Sequence, residues 1–312
     1  MGRKSKWIEG LSPQMPVCEA ARYTLKMRLR TLWAQLEEAA RNASAQVEAI
    51  HQLRVATRRA QSALHCYEDL LPVRRARWMK KRLKCVRRQA SDARDYDVLI
   101  ARLSAAESQP RVEGIERVID ELNVRRKAAQ EPVRKLRARL AQCEFRRKAR
   151  QLTRRIRWRD SAQPEPTLSE VARQKVRKIG EEFLAAAGQM PQDVPTLHAL
   201  RILAKHWRYT IESFHEAFAP DFRTELHPQV ILVQEKLGAF VDHAMAAERL
   251  DSWRLACDDA ELTTALEQLS ANEHASADEA RRQFFEWWSG ERPVSLRRSL
   301  EDLLSPEAQH VA

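Results

Sequence analysis

Glycine is scarce in this chain, 7 residues in 312, which leaves few of the left-handed turns that phosphate-cradling loops and glycine-punctuated β-folds require. The five cysteines, Cys18, Cys66, Cys85, Cys143 and Cys257, are odd in number and scattered, with no CxxC pair. Neither a disulfide framework nor a zinc knuckle fits that spacing, and a reducing cytoplasm is the compartment expected. Nowhere do eighteen apolar residues run together, so no membrane span is expected. The basic start MGRKSKWIEG is followed by no apolar stretch of the secretory kind, and Lys6 stands where a myristoylation signal carries Ser or Thr. Also missing are a GxSxG elbow, a phosphate loop and a Cys/His nucleophile arrangement, so catalysis is not expected and no cofactor is called for.

What the chain has in quantity is charge and helix-forming residues. Ala, Leu, Arg, Glu and Gln dominate, and 44% of residues are hydrophobic, enough to bury a core. The net charge of +12 implies a polyanionic partner, since that much like charge opposes a compact state. It is unevenly placed. Residues 1–160 hold 39 Lys+Arg against 18 Asp+Glu, whereas residues 161–312 hold 16 against 25.

Apolar residues at helical spacing, interrupted near Pro72, Pro110, Pro164–Pro166, Pro191–Pro195 and Pro220, predict an all-α protein. The segment SAQPEPTLSE reads as a linker, because its prolines cannot continue a helix and the charge bias changes sign there. The expected domains are 1–162, strongly basic, and 163–312. Helices are predicted near 17–43, 47–70, 73–106 and 111–159, the last pair open to a further break, and near 167–188, 194–218, 223–270 and 276–304. Short connections between them suggest two antiparallel four-helix bundles.

The halves are related. At an offset of 147, His51 falls on His198, Arg54 on Arg201, Arg58 on Lys205 and Asp95 on Asp242, without a gap. A register shared over about fifty residues points to internal duplication.

Wound at 100° per residue, His51–Tyr67 gathers Leu53, Ala56, Ala60, Ala63, Leu64 and Tyr67 on one side and His51, Arg54, Arg58, Gln61 and His65 on the other. Its counterpart does the same, with Leu200, Leu203, Trp207, Ile211 and Phe214 apolar and His198, Arg201, Lys205, Arg208 and Glu212 polar. A solvated face is the ordinary meaning of such a stripe. Here Arg, whose planar fork matches phosphate oxygens, is preferred to Lys, and the order His-x-x-Arg-x-x-x-cation occurs twice. In Arg74–Ser91, Arg77, Lys81, Lys84 and Arg88 line one side, while Pro228, Ile231 and Glu235 replace the last three in the second half. The cationic wall is therefore expected to be lopsided.

VEAIHQLRVATRRAQSAL resembles the opening signature of CHAD domains, the conserved-histidine α-helical family. ARDYDVL resembles their Arg-Asp-x-Asp motif, and LHALRILAKHWRYTIE the signature of the second repeat. The resemblance runs from about Ser12 to about Leu304. It implies two pseudo-symmetric four-helix bundles with a basic groove or pore between them, binding of inorganic polyphosphate, and association with polyphosphate granules and their proteins. On matching positions His51, Arg54, Arg58 and Arg59 take the first motif's role, and His198, Arg201, Lys205 and Arg208 the second's. Lys81, Lys84 and Arg88 would line the groove, and the Arg94–Asp95 pair reads as an orienting ion pair. Many relatives carry a fused triphosphatase domain, of which this sequence shows no trace.

Two rivals differ in class. Non-specific nucleic-acid binding suits the charge, but the stripes lack interleaved exposed aromatics for base stacking. A metal-dependent bundle enzyme could use Glu48/His51 and Glu212/His215, yet those pairs are not partners under the 147 offset. The partner expected is thus polyphosphate, without specific nucleic acid, membrane or metal.

Overall fold

Helical periodicity is realised along most of the described residues. The computed structural model describes residues 7–42, 47–104, 112–189 and 193–305, which contain ten α-helices and no strand beyond one isolated bridge between Pro16 and Thr167. The all-α expectation holds. The breaks expected at Pro110 and Pro191 lie outside the described residues, as does Lys6.

In order, the helices are α1 (Val17–Asn42), α2 (Val47–Cys66), α3 (Val73–Ser104), α4 (Ile115–Gln142), α5 (Phe145–Arg154), α6 (Leu168–Gly188), α7 (Val194–Phe214), α8 (His227–Leu255), α9 (Ala260–Trp287) and α10 (Arg292–Leu303). Each half thus carries five helices where four were expected. The stretch 111–159 is divided because Glu144 adopts a left-handed φ of 55°, which ends α4 and redirects the chain into α5. In the second half the break falls at Ala256–Asp259, not between 270 and 276. There the Asp259 carboxylate accepts the Leu262 N–H at 3.0 Å and starts α9 as an N-cap. The expected break is absent because Ser270 and Glu273 are buried with polar partners. Ser270 donates to Asp251 at 2.7 Å, and Glu273 accepts from Arg102 at 2.8 Å. Gly290, at φ 65°, and a proline in the first turn of α10 make the last break.

The succession of elements recurs at the offset found in the sequence. Val47 opens α2 and Val194 opens α7; short 3₁₀ turns follow at Glu68–Leu70 and His215–Ala217; Phe145 opens α5 and Arg292 opens α10. The start of α8 departs most from this register, because a π-helical turn at Phe222–Leu226 precedes it.

The chain forms two compact units, neither of them one continuous stretch. Unit 1 comprises Met1–Ala101, Leu122–Ala172 and Glu212–Ala217, and unit 2 comprises Arg102–Glu121, Arg173–Ile211 and Phe218–Ala312. The segment expected as a linker is pinned within unit 1. The Val17 N–H donates to Pro166 O at 3.0 Å, the Leu168 N–H to Met15 O at 2.8 Å, and the Cys18 N–H to the Glu165 carboxylate at 2.7 Å. Glu165 thereby satisfies a donor that the first turn of α1 leaves open. Burial, with Glu165 adding, pushes the Cys18 thiol up to about 11.

In unit 1 the core lies where α1 packs on α2, around Leu25, Leu32, Ile50, Leu53 and Leu64, all fully buried. Each contributes roughly 1.5–3 kcal/mol by leaving water. In unit 2, α8 packs along α9, and Trp207 sits within ring contact of Phe183 at 5.5 Å. Gly180 permits a close approach there, since a Cβ at this position would stand 2.6 Å from Leu300 Cδ2 and 3.0 Å from Trp207.

Candidate functional site

On α2, the apolar face assigned from the sequence is buried, and His51, Arg54, Arg58 and Gln61 of the opposite face are half-buried rather than fully solvated; only His65 stands out in water. Their partial burial follows from α3, which runs alongside. Arg54 Nη1 donates to Asp95 Oδ1 at 2.9 Å and to the Ser91 carbonyl at 3.2 Å. Asp95 therefore takes Arg54 as a partner across two helices. The second aspartate of the ARDYDVL motif, Asp97, is buried and paired with Arg126 of α4. Both acids of the motif thus fix helices through arginine.

Positive charge surrounds His51. Burial, with Arg94 next and Arg58 and Arg54 adding, pushes its imidazole below the ordinary value, Glu48 opposing only partly. Arg58 and Arg94 are half-buried and make no ion pair among the described residues. Arg59 is placed differently. Its Nε donates to Glu212 Oε2 at 2.8 Å, and that carboxylate side chain is only 3% exposed. Arg28, buried beside them, reaches the Glu212 carbonyl at 3.4 Å. Glu212, assigned to a polar stripe by its spacing, is in fact a core carboxylate of unit 1, buried because it has an arginine to meet.

In unit 2, α7 repeats the arrangement. Arg201 Nη2 donates to Asp242 Oδ1 at 2.6 Å, over the same sequence separation of 41 residues that joins Arg54 to Asp95. His198, Lys205 and Arg208 are half-buried on the same face, and the guanidinium of Arg208 lies 4.6 Å from the Tyr209 ring centre. Burial, then Arg201 and Lys205, pushes His198 below the ordinary imidazole value. Beyond Asp242, His243 Nδ1 stands 2.6 Å from Glu273, which also meets Arg102.

The cations of α3 are of another kind. Lys81, Lys84 and Arg88 are exposed and have no carboxylate partner among the described residues, while neighbouring Lys80 is held by Glu68 at 2.7 Å. Arg88 also borders a recess of about 410 Å³ with Asp92, Glu131, Lys135 and Arg139. In the second half Pro228 and Glu235 are exposed at the matching positions, as the lopsided wall requires. The eleven residues picked out by sequence therefore divide into anchored arginines (Arg54, Arg59, Arg201), half-buried neighbours, and open cations. Sequence reading missed Arg94 as part of the field around His51. Its signal was present, two turns of α3 beyond Arg87 and next to Asp95, but adjacency in sequence suggested a pair that the helix geometry redirects to Arg54.

A larger cavity, about 1060 Å³, opens between α1 and α5, and none of the eleven residues lines it. Among the described residues no group of three His, Cys, Asp or Glu side chains is placed to hold a metal ion, and no helix is long and apolar enough to cross a membrane. All five cysteines are free thiols.

A family model described as the CHAD domain matches residues 24–251. No curated protein sequence matches the chain. Among solved structures, the crystal structure of the CHAD domain from the plant Ricinus communis is similar with a TM-score of 0.66 and 18% identity, covering 97% of this chain and 97% of that one. PptA from Streptomyces chartreusis is similar with a TM-score of 0.64 and 17% identity, covering 88% of this chain and 99% of that one. At these identities the likeness speaks for the fold.

Proposed function

The chain belongs to the CHAD domain family, and from that premise we propose that it binds inorganic polyphosphate through the His/Arg faces of α2 and α7 and the open cations of α3. The observation that carries the reading is the division of labour at the site. Arg54 and Arg201 are anchored to Asp95 and Asp242, which holds their faces in place, while Arg58, Lys81, Lys84 and Arg88 keep their charge uncompensated among the described residues. Uncompensated cations beside a rigid frame offer an anion both charge and preorganisation.

Polyphosphate is a flexible row of anionic oxygens without bases, so its recognition is by charge density and chain length. His51, Arg54, Arg58, His198, Arg201, Lys205 and Arg208 are the contact residues of the two faces, and Lys81, Lys84 and Arg88 extend the contact. Arg59 supports the first face by holding Glu212. The role is binding, with the protein at polyphosphate granules in the cytoplasm.

A binding series with polyphosphates of graded length at two salt concentrations tests this. Affinity is expected to rise with chain length and fall with salt. Lys81→Ala/Lys84→Ala/Arg88→Ala should reduce the slope of log affinity against log salt by about 2, since each neutralised phosphate contributes roughly 0.7 to that slope. An unchanged slope, or displacement of long polyphosphate by transfer RNA at equal charge, would overturn the assignment in favour of general polyanion or nucleic-acid binding.

A further inference from the structure

The cavity between α1 and α5 has a construction unlike the His/Arg faces. Arg22, Lys26 and Arg30 recur at every fourth residue along α1, and Arg146, Arg150 and Arg154 do so along α5; all six border the cavity and are exposed. Four residues of helix advance about 6 Å, so each wall presents three cations in a row about 6 Å apart. Among the described residues none of the six has an ion-pair partner. Arg22 donates to the Ile156 carbonyl at 2.6 Å, and Arg146 lies 5.9 Å from the Trp33 ring centre. Glu19, in the first turn of α1, is the one carboxylate among the described residues of the lining.

Between the rows the floor is apolar: Tyr23, Leu29, Trp33, Ala34, Phe145 and Ala149. The Trp33 and Phe145 rings stack at 5.9 Å between centres, giving that floor a fixed shape. A bare phosphate chain would satisfy the rows and gain nothing from the floor. A single nucleotide would concentrate its charge at one end of rows that run the length of the cavity. A membrane surface needs apolar side chains that project, whereas Trp33 is 9% exposed and Phe145 1%.

A third helix fits all three features. Its apolar stripe would rest on the ring floor between α1 and α5, and its own i, i+4 repeat would set carboxylates opposite both rows at the same period of about 6 Å. We propose that the α1/α5 recess of unit 1 docks an acidic amphipathic helix of a partner protein. Apolar contact with the accessible side chains of the lining, Tyr23, Ala34 and Ala149, adds to the attraction of the two cation rows, which set orientation and exclude basic or neutral helices. This docking is independent of polyphosphate binding at α2, α3 and α7.

The test uses a fluorescein-labelled synthetic helix of about 18 residues, with Leu in heptad a and d positions and Glu on both flanks, read by fluorescence anisotropy against the full chain. Saturable binding is expected. Lys26→Glu/Arg150→Glu, two exposed positions, should weaken it by about tenfold or more, and so should scrambling the peptide at constant composition, because the apolar stripe is then broken up. Lys81→Ala/Lys84→Ala/Arg88→Ala protein should bind the peptide within about twofold of wild type, those cations being on another helix. The proposal is overturned if the scrambled peptide binds equally well, an arm that uses only wild-type protein. It is likewise overturned if the double variant, folded by circular dichroism, keeps full affinity, or if phosphatidylglycerol vesicles bind while the peptide does not.

Discussion

At the scale of the residue, the distinction that matters is between an arginine that anchors and one that waits. Arg59 anchors: it compensates Glu212 in the core of unit 1. Arg59→Ala leaves that carboxylate buried without its nearest cation and should cost about 3 kcal/mol, measured by urea denaturation. Arg58→Ala removes a cation with no carboxylate to strand, so stability should stay within about 0.5 kcal/mol while polyphosphate affinity falls. The histidines add a pH dependence with a definite sign. Burial and neighbouring cations hold His51 and His198 below the ordinary imidazole value, so both are neutral in the free protein at pH 7. A phosphate chain alongside would favour the protonated form, and binding would take up protons. Affinity should therefore rise as pH falls from about 8 through the imidazole range, with proton uptake on binding, as isothermal titration in two buffers would show. Folding runs the other way, because the unfolded chain binds those protons more readily than the folded one. The contribution is full above about pH 6.5 and is lost as pH falls.

At the scale of the element, breaks and caps decide more than propensity does. The residues 111–159 have continuous helical periodicity, and the division between α4 and α5 rests on one residue, Glu144, in a left-handed conformation. Glu144→Gly should stabilise the protein by up to about 1 kcal/mol, seen as a higher melting temperature, because glycine carries no Cβ penalty there. Gly180 lies in helix α6, where glycine is ordinarily a weakness, yet the contact with Leu300 and Trp207 leaves no space for more. Gly180→Ala should cost about 1–3 kcal/mol by overpacking despite the gain in helix propensity, a sign that thermal melting would settle. Both cases explain what was hard to read along the chain. A left-handed glutamate has no sequence signature, and a break was expected between 270 and 276 only because the partners of Ser270 and Glu273, Asp251 and Arg102, were out of sight.

At the scale of the molecule, charge is distributed by half, +12 overall with the excess in the first 160 residues, and in the proposed function it would supply the long-range attraction for polyphosphate. Screening by salt should weaken polyphosphate binding steeply, more than any single substitution does. The residues that match at an offset of 147 are accompanied by the same order of elements and by the two ion pairs Arg54–Asp95 and Arg201–Asp242. That much was legible because a hydrophobic period and a repeated motif are both one-dimensional patterns. By itself the sequence determined the all-α class, the buried side of α2 and α7, and the place of the His/Arg signatures. Tertiary structure alone decided which arginines are neutralised, that Glu212 is a core residue, that the presumed linker is tied to the start of α1, and that α1 and α5 leave a cation-lined recess. The reason is physical: periodicity fixes which face of a helix is apolar, but the partner of a charge is set by a neighbour in space, and here that neighbour is 41 or 153 residues away.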